Sequence, residues 1–269
     1  MTNTITRDEL MRTDDLADFE RRDVTLDGKT KLVFVAGSGP AVIVMSEMPG
    51  IYWGVADFAR MVRDAGFTVW MPQLFGTPGH APSMGYGLRS MVMGCISREF
   101  RAFAANESSP VTQWLRALAA HAHKLSGGKG VGAIGMCFTG NFALSMMLEP
   151  AMLAPVLSQP SLPIGRAGGM HISPTELEQV KKRLDREDLT VKAYRFEGDP
   201  FCKAARFDEY QRALGDRFDA RVLPDESARK GTPMKPHSVV TLHLINRPGE
   251  PTRACVDEIL AFFAQRLKH

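Results

Sequence analysis

The chain has 269 residues, of which 44% are hydrophobic and 23% charged, and its formal net charge is +3. A positive charge this small, with its basic residues scattered, is typical of a globular protein and does not favour nucleic acid as a partner. No apolar run is long enough to cross a bilayer, and residues 1–10 lack the apolar segment of a secretory signal. The four cysteines lie far apart, which argues against a disulfide framework or a zinc site and predicts a cytoplasmic protein.

Strand and helix patterns alternate along most of the chain. A hairpin is predicted over 23–35, with its turn at Asp27-Gly28, and a continuous apolar strand follows at 41–45. Further strands are predicted at 67–72, 131–135, 155–158, 190–196 and 220–223. Helices are predicted at 53–65, at 98–124 with a break near 106–110, at 141–148, after a capping box at 173–176, at 202–214 and at 252–267. This order predicts one α/β domain over 1–269, with a mostly parallel sheet covered by helices on both faces.

Residues 75–94 interrupt the alternation. They are rich in Gly, Pro, Met and His and show no clear periodicity, which is typical of a binding loop or lid. The alternative is a flexible surface excursion. Four side chains of this stretch are poor residues to leave in water: Met84, Tyr86, Met91 and Met93. They favour a lid or pocket-lining segment over 76–110, in which His80 and Tyr86 are candidate substrate contacts.

The stretch Val131–Gly140 carries the clearest chemical signal. Its small and apolar residues suit a strand buried on both faces, and at Gly135 the pattern turns sharply into a helix. Cys137 stands at this turn, with glycine two residues before and three after, which is the layout of a nucleophile elbow with cysteine in place of serine. The backbone N–H of Phe138 could then help to hold an oxyanion. The alternative is a buried structural cysteine, and this stretch alone does not decide between the two.

Three reactive residues follow one another in an order that is typical of a catalytic triad. Cys137, Asp199 and His237 each come after a predicted strand, in the chain order of the α/β-hydrolase triad. The carboxyl ends of parallel strands share one edge of a sheet, so the three side chains can meet there. A nucleophile, a base and a carboxylate that orients the base are what acyl transfer requires. Glu47 also follows a core strand, although a lone loop carboxylate is more often a solvated surface group.

These residues resemble the dienelactone hydrolase family over nearly the whole chain from about Val42 onward. The resemblance is carried by Glu47, by Gly135 to Gly140, by Gly198-Asp199 and by His237-Ser238. It implies an α/β-hydrolase fold without a large cap domain and a Cys-His-Asp triad that opens lactone esters. It further implies that Glu47 contacts the resting cysteine and helps to activate it, and that the N–H of Met48 joins the oxyanion hole.

Two positions depart from the family pattern. Thr139 stands where the family's elbow usually has a further glycine, and Thr241 stands where family members that act on dienelactone carry an arginine for the substrate carboxylate. The triad assignment survives both differences, but dienelactone itself becomes doubtful as a substrate. Arg89 or Arg98 could replace the missing charge, and either could equally be a surface residue. Ser238, beside His237, is a further candidate substrate contact.

Other histidines and cysteines compete for these roles. His243 lies six residues after His237, but its apolar surroundings fit packing better than catalysis. Three further cysteines are expected to be packing residues: Cys95, Cys202 and Cys255.

The sequence therefore predicts a hydrolase of small esters or lactones that needs no metal or cofactor and forms an acyl-cysteine intermediate. Its partner would be a small-molecule substrate, with no nucleic acid or membrane, and the protein would be a monomer or a small homo-oligomer. Two alternatives remain open: a thiol redox protein that uses Cys137, and a catalytically silent ligand binder with a hydrolase fold.

Overall fold

One eight-stranded sheet organises the computed structural model, which describes residues 3–268 and only the backbone at positions 84, 91, 94 and 96. Its strands are β1 (Glu20–Leu26), β2 (Lys29–Ala36), β3 (Ala41–Met45), β4 (Thr68–Pro72), β5 (Val131–Met136), β6 (Met152–Ser158), β7 (Val191–Phe196) and β8 (Phe218–Leu223). The spatial order is β1-β2-β4-β3-β5-β6-β7-β8. The β1–β2 and β2–β4 pairs are antiparallel, and every later pair is parallel. The predicted mostly parallel sheet is confirmed.

Helices cover both faces of the sheet. They are α1 (Arg7–Leu10), α2 (Trp53–Asp64), α3 (Met84–Ile96), α4 (Val111–Ser126), α5 (Phe142–Ser145), α6 (Pro174–Arg186), α7 (Ala204–Leu214) and α8 (Pro251–Leu267). Apolar residues of α4, α6 and α7 belong to one core cluster, and those of α2 and α8 belong to the other. No described helix is both long and apolar enough to span a bilayer.

Residues 75–110 differ most from the sequence prediction. Helix α3 lies inside the stretch that shows no periodicity, and its N-cap is Ser83, whose hydroxyl accepts a hydrogen bond of 3.3 Å from Tyr86 N. Gly85 and Gly87 lower its intrinsic helix propensity, so the local sequence favours a loop at this position. The helix predicted over 98–124 is confirmed from Val111 onward, but its first part is wrong, because Arg101 and Asn106 have positive φ angles of 42° and 58° and no regular helix forms before Val111.

Candidate active site

The backbone around Cys137 forms the predicted strand–turn–helix. Strand β5 ends at Met136, and Cys137 has a positive φ of 52° at the start of a 3₁₀ turn that leads to α5. A Cβ atom on Gly135 would lie 2.1 Å from the carbonyl oxygen of Thr139, and one on Gly140 would lie 2.5 Å from Cα of Pro160. Both positions therefore require glycine. The strained turn lifts the half-buried Cys137 side chain into a cavity at the carboxyl edge of the sheet.

Thr139 stands where the family's elbow usually has a glycine, and its hydroxyl makes hydrogen bonds that a glycine could not make. Its buried hydroxyl accepts a hydrogen bond of 3.0 Å from Met136 N. The same oxygen lies 3.1 Å from the carbonyl oxygen of Met45 and 3.2 Å from that of Ser46, so it can donate to the end of β3. The threonine thus ties the elbow to the strand that leads to Glu47.

Asp199 and His237 are in direct contact. Nδ1 of His237 lies 2.7 Å from Oδ2 of Asp199, and both side chains are buried. Oδ1 of Asp199 accepts hydrogen bonds of 2.8 Å from the backbone N–H groups of Phe201 and Cys202. Both oxygens of the Asp199 carboxylate are therefore held by hydrogen bonds. The nitrogen of His237 that faces this carboxylate is Nδ1.

The other ring nitrogen of His237 is available for chemistry. Nε2 is buried and has no hydrogen bond of normal geometry to any residue in the described range 3–268. Burial alone would lower the pKa of this imidazole, but the adjacent Cys137 and Asp199 groups raise that pKa well above its ordinary value. The imidazole therefore lies between the Asp199 carboxylate, which orients it, and the Cys137 sulfur, with which it can exchange a proton.

His243 holds the backbone that carries His237. Its Nδ1 accepts the N–H of Ser238 at 3.1 Å and that of His237 at 3.4 Å, and its Nε2 lies 3.0 Å from Oγ1 of Thr232. Burial lowers the pKa of His243 to about 4, so the ring is neutral at pH 7. The expectation that His243 is a packing residue misses this contact with the histidine loop, which we define as residues 237–245.

The Glu47 carboxylate is buried among four side-chain donors. Oε1 accepts from the hydroxyl of Tyr52 at 2.5 Å and from that of Thr241. Oε2 accepts from Oγ of Ser238 at 2.7 Å and from Nε2 of Gln159 at 3.2 Å. Glu47 is therefore part of the site and not a solvated surface carboxylate, and no hydrogen bond joins it to the Cys137 thiol within the described structure. Its predicted part in activating the thiol stays a prediction.

Two residues of the cavity wall, Met48 and Phe138, are the candidates for an oxyanion hole. Met48 and Phe138 both line the cavity, and in the part of the chain that the structure describes neither N–H donates to a protein acceptor. Such a pair of unused donors next to a nucleophile suits an oxyanion hole. Phe138 is held from behind by aromatic contacts with Phe75 and Phe100, whose ring centroids lie 5.8 Å and 5.3 Å away.

The cavity has a volume of about 680 Å³ and is largely apolar. Cys137 and His237 lie in its wall, and the apolar lining includes Leu88, Ile164, Phe201, Met234 and Leu242. Four residues of the predicted lid segment line it, namely Pro82, Ser83, Gly87 and Leu88. A volume of this size suits a small organic substrate.

The charged residues of the cavity differ from those expected. Arg89 and Arg98 are exposed, and neither they nor Tyr86 belong to its lining. The Tyr86 hydroxyl instead donates to the carbonyl oxygen of Thr77, and its ring packs against His80 with the ring planes tilted by 40°. Arg166 and Lys203 supply the cations, both at the exposed rim.

Met93 is 59% exposed, which contradicts its predicted pocket-lining role, and the side chains of Met84 and Met91 lie outside the described residues.

The other cysteines are poor candidates for a nucleophile. Cys202 and Cys255 are buried, and burial raises the pKa of Cys202 well above its ordinary value and that of Cys255 to about 11. Burial also raises the pKa of the half-buried Cys95 thiol. Residues 3–268 contain no cluster of three or more His, Cys, Asp and Glu side chains that could hold a metal ion.

A mostly parallel sheet with a strained elbow after β5 and no large cap defines an α/β hydrolase. The model of the dienelactone hydrolase family matches residues 30–216, and the chain therefore belongs to that family. Comparison with curated proteins gave no match.

Solved structures share the fold at low sequence identity. A protein from Klebsiella pneumoniae subsp. pneumoniae with a provisional dienelactone hydrolase assignment is 17% identical, with a TM-score of 0.64 over 92% of this chain and 98% of that one. A dienelactone hydrolase-like promiscuous phosphotriesterase from metagenomic libraries is 16% identical, with a TM-score of 0.58 over 93% and 98%. A dienelactone hydrolase from Anabaena variabilis is 10% identical, with a TM-score of 0.56 over 93% and 100%. At these identities the likeness shows the fold alone.

Proposed function

We propose that the protein hydrolyses small carboxylic esters or lactones through a triad of Cys137, His237 and Asp199. The observation that carries the proposal is the position of the His237 imidazole, whose Nδ1 contacts Asp199 at 2.7 Å and whose Nε2 is free on the side of Cys137. Covalent acyl transfer uses a nucleophile, a base and an acid that orients the base. Here the nucleophile is the Cys137 thiol in an apolar cavity, the base is His237 with one free nitrogen, and the acid is Asp199, which is hydrogen-bonded to it.

The proposed reaction has two halves. The Cys137 thiolate forms a bond to the acyl carbon, and the carbonyl electron pair moves onto oxygen, where the N–H groups of Met48 and Phe138 stabilise it. As the intermediate collapses, the ester C–O bond breaks and Nε2–H of His237 gives its proton to the leaving oxygen. Water then attacks the acyl carbon while Nε2 takes its proton, and the carboxylic acid leaves as the thiolate re-forms.

The shape and charge of the cavity support a substrate with an apolar acyl part and an anionic group near the entrance. The walls around Cys137 are mainly apolar, and both rim cations, Arg166 and Lys203, lack an ion-pair partner among residues 3–268. Thr241 is buried against Glu47 and brings no charge to the substrate. An anionic group of the substrate would therefore be recognised by Arg166 and Lys203 at the rim.

A panel of activated esters and lactones tests the proposed function. Wild-type protein should hydrolyse some members, and Cys137→Ala should lose roughly a thousandfold or more of that activity, because removing the nucleophile leaves only binding and oxyanion contributions. Cys95→Ala is the matched control, since it removes a half-buried thiol that does not line the cavity. A Cys137→Ala variant that keeps most of its activity would refute the triad.

The same proteins distinguish a redox role. Reduction of peroxide by an added thiol, without hydrolysis of any ester, would favour redox chemistry at Cys137 over acyl transfer. Cys202 would be a poor resolving thiol for such chemistry, because it is buried and its pKa is raised by burial.

A further inference from the structure

The Glu47 carboxylate has no acceptor position left for a proton. Its two oxygens accept four hydrogen bonds, from Tyr52, Thr241, Ser238 and Gln159. An ionised carboxylate offers about four lone-pair positions, so all of them are in use. A proton that arrived at Glu47 would have to displace the Gln159 amide or turn one of the three hydroxyls from donor to acceptor, so the buried network would have to rearrange.

The surroundings of Glu47 are neutral and fixed. No Lys, Arg or His of the described chain forms an ion pair with it. Burial, and then the Glu47 charge itself, raise the pKa of the Tyr52 hydroxyl well above its ordinary value, so this donor keeps its proton. Gln159 is buried as well, and the N–H of Val239 lies 3.4 Å from its Oε1. The network therefore holds the carboxylate from several directions.

Two of the four donors belong to the histidine loop. Ser238 directly follows His237, and Thr241 lies three residues further on. His243 accepts the N–H groups of His237 and Ser238 from inside the same loop. The loop is thus joined to Glu47 by two hydroxyl groups, and the N–H groups of His237 and Ser238 are held by the neutral ring of His243.

We propose that Glu47 is a positioning residue, which fixes the histidine loop so that the His237 imidazole lies between Asp199 and Cys137, and that it does not act as the base for the thiol. The proposal rests on the proposed function for its catalytic consequence, but its structural content is the bond between Glu47 and the loop. Thr241 is the residue that distinguishes the two roles. Its loss would loosen the loop if Glu47 is an anchor, and would free an acceptor position if Glu47 is a base.

Thr241→Val is the direct test, because valine keeps the shape and removes the hydroxyl donor. We expect kcat to fall about tenfold with little change in KM, since a small displacement of a catalytic group is costly. Thr252→Val is the matched control. Thr252 is also a buried threonine that bonds to this loop, but it accepts the N–H of Ile245 and does not touch Glu47. We expect it to lower stability without lowering kcat in this way.

A double-mutant cycle separates the two roles further. Glu47→Gln and Thr241→Val should be coupled, so that the double variant loses no more turnover than Glu47→Gln alone. The proposal is overturned if Thr241→Val keeps or gains turnover while Glu47→Gln abolishes it, because that pattern belongs to a base released from a hydrogen bond.

Histidine NMR decides the question even if no ester is hydrolysed. The titratable groups that face His237 are Asp199, Cys137 and His243. A displaced loop would weaken the contacts with Asp199 and Cys137 that raise the pKa of His237, so we expect that pKa to fall in Thr241→Val and to stay unchanged in Thr252→Val. An unchanged His237 titration in Thr241→Val overturns the positioning role. Failure of ester hydrolysis in the wild type, with the expected NMR shift, would refute the proposed function and leave the anchor standing.

Discussion

Nδ1 of His237 lies 2.7 Å from Oδ2 of Asp199, and the second oxygen of the same carboxylate accepts two backbone N–H groups. Two backbone hydrogen bonds therefore hold the Asp199 carboxylate in place, independently of its contact with the imidazole. This contact joins the loop after β7 to the loop after β8, and its two residues lie 38 positions apart in the chain.

Asp199→Asn should lower kcat by about a thousandfold or more, because an amide cannot hold the imidazole in the tautomer that leaves Nε2 free to act as a base. The fold should survive, since the amide oxygen can still accept the N–H groups of Phe201 and Cys202. Ester turnover and circular dichroism would check both expectations. Asp208→Asn, which neutralises an exposed carboxylate on α7, is the control; equal losses in the two variants would contradict the assigned role.

His237 should make stability depend on pH with a definite sign. Because its folded pKa is raised above the unfolded value of about 6.5, its charge contributes stability that is fully present below that pH and is lost as pH rises through the folded pKa. The difference in unfolding free energy between wild type and His237→Gln should therefore shrink on going to alkaline pH. Urea titrations at several pH values measure it, with the exposed His80→Gln as control. A difference that grows with pH would show that the sign is wrong.

Arg166→Gln and Lys203→Gln should each raise KM for esters that carry a carboxylate by about two- to fivefold, with little effect on kcat. Exposed charges of this kind contribute about 0.5–1 kcal/mol, and salt should weaken the effect further. A neutral ester of the same size should show no change. Arg89→Gln is the matched control, because Arg89 does not line the cavity. If Arg89→Gln has the same effect as Arg166→Gln, the rim does not select the substrate.

Thr139→Val should destabilise the fold by about 1–3 kcal/mol, because it removes the partner of Met136 N and leaves buried polar groups unsatisfied at the elbow. Thr139→Ser retains the hydroxyl and should recover most of that loss. Thermal and denaturant unfolding of the three proteins would measure it. If valine and serine destabilise the protein equally, the methyl group and not the hydroxyl is responsible.

The positions of Cys137, Asp199 and His237 could be predicted because general rules apply to them. Parallel strands place their carboxyl ends at one edge, and the glycines at 135 and 140 mark a turn in which no side chain fits. The sheet, the elbow backbone and the family are confirmed. The catalytic roles and the single domain over 1–269 stay predictions.

Other parts of the site carried no sequence signal. Gln159 lies 112 residues from Glu47 in the chain, and only the three-dimensional fold brings its amide to the carboxylate. The apolar neighbours of His243 predict packing, and they do not reveal that its ring accepts the N–H groups of His237 and Ser238. Thr241 could be read as the absence of an arginine, but its hydrogen bond to Glu47 depends on how the loop folds.

The central claim is that Cys137 carries the acyl group. Mass spectrometry of protein mixed with an activated ester and quenched in acid within the first turnovers tests it most directly, and Asp199→Asn would serve to slow the release of the acyl group. We predict that the mass of the acyl group appears on the peptide that contains Cys137 and is absent from Cys137→Ala treated in the same way. Turnover with no adduct on Cys137, or with the same adduct on Cys137→Ala, would contradict the account.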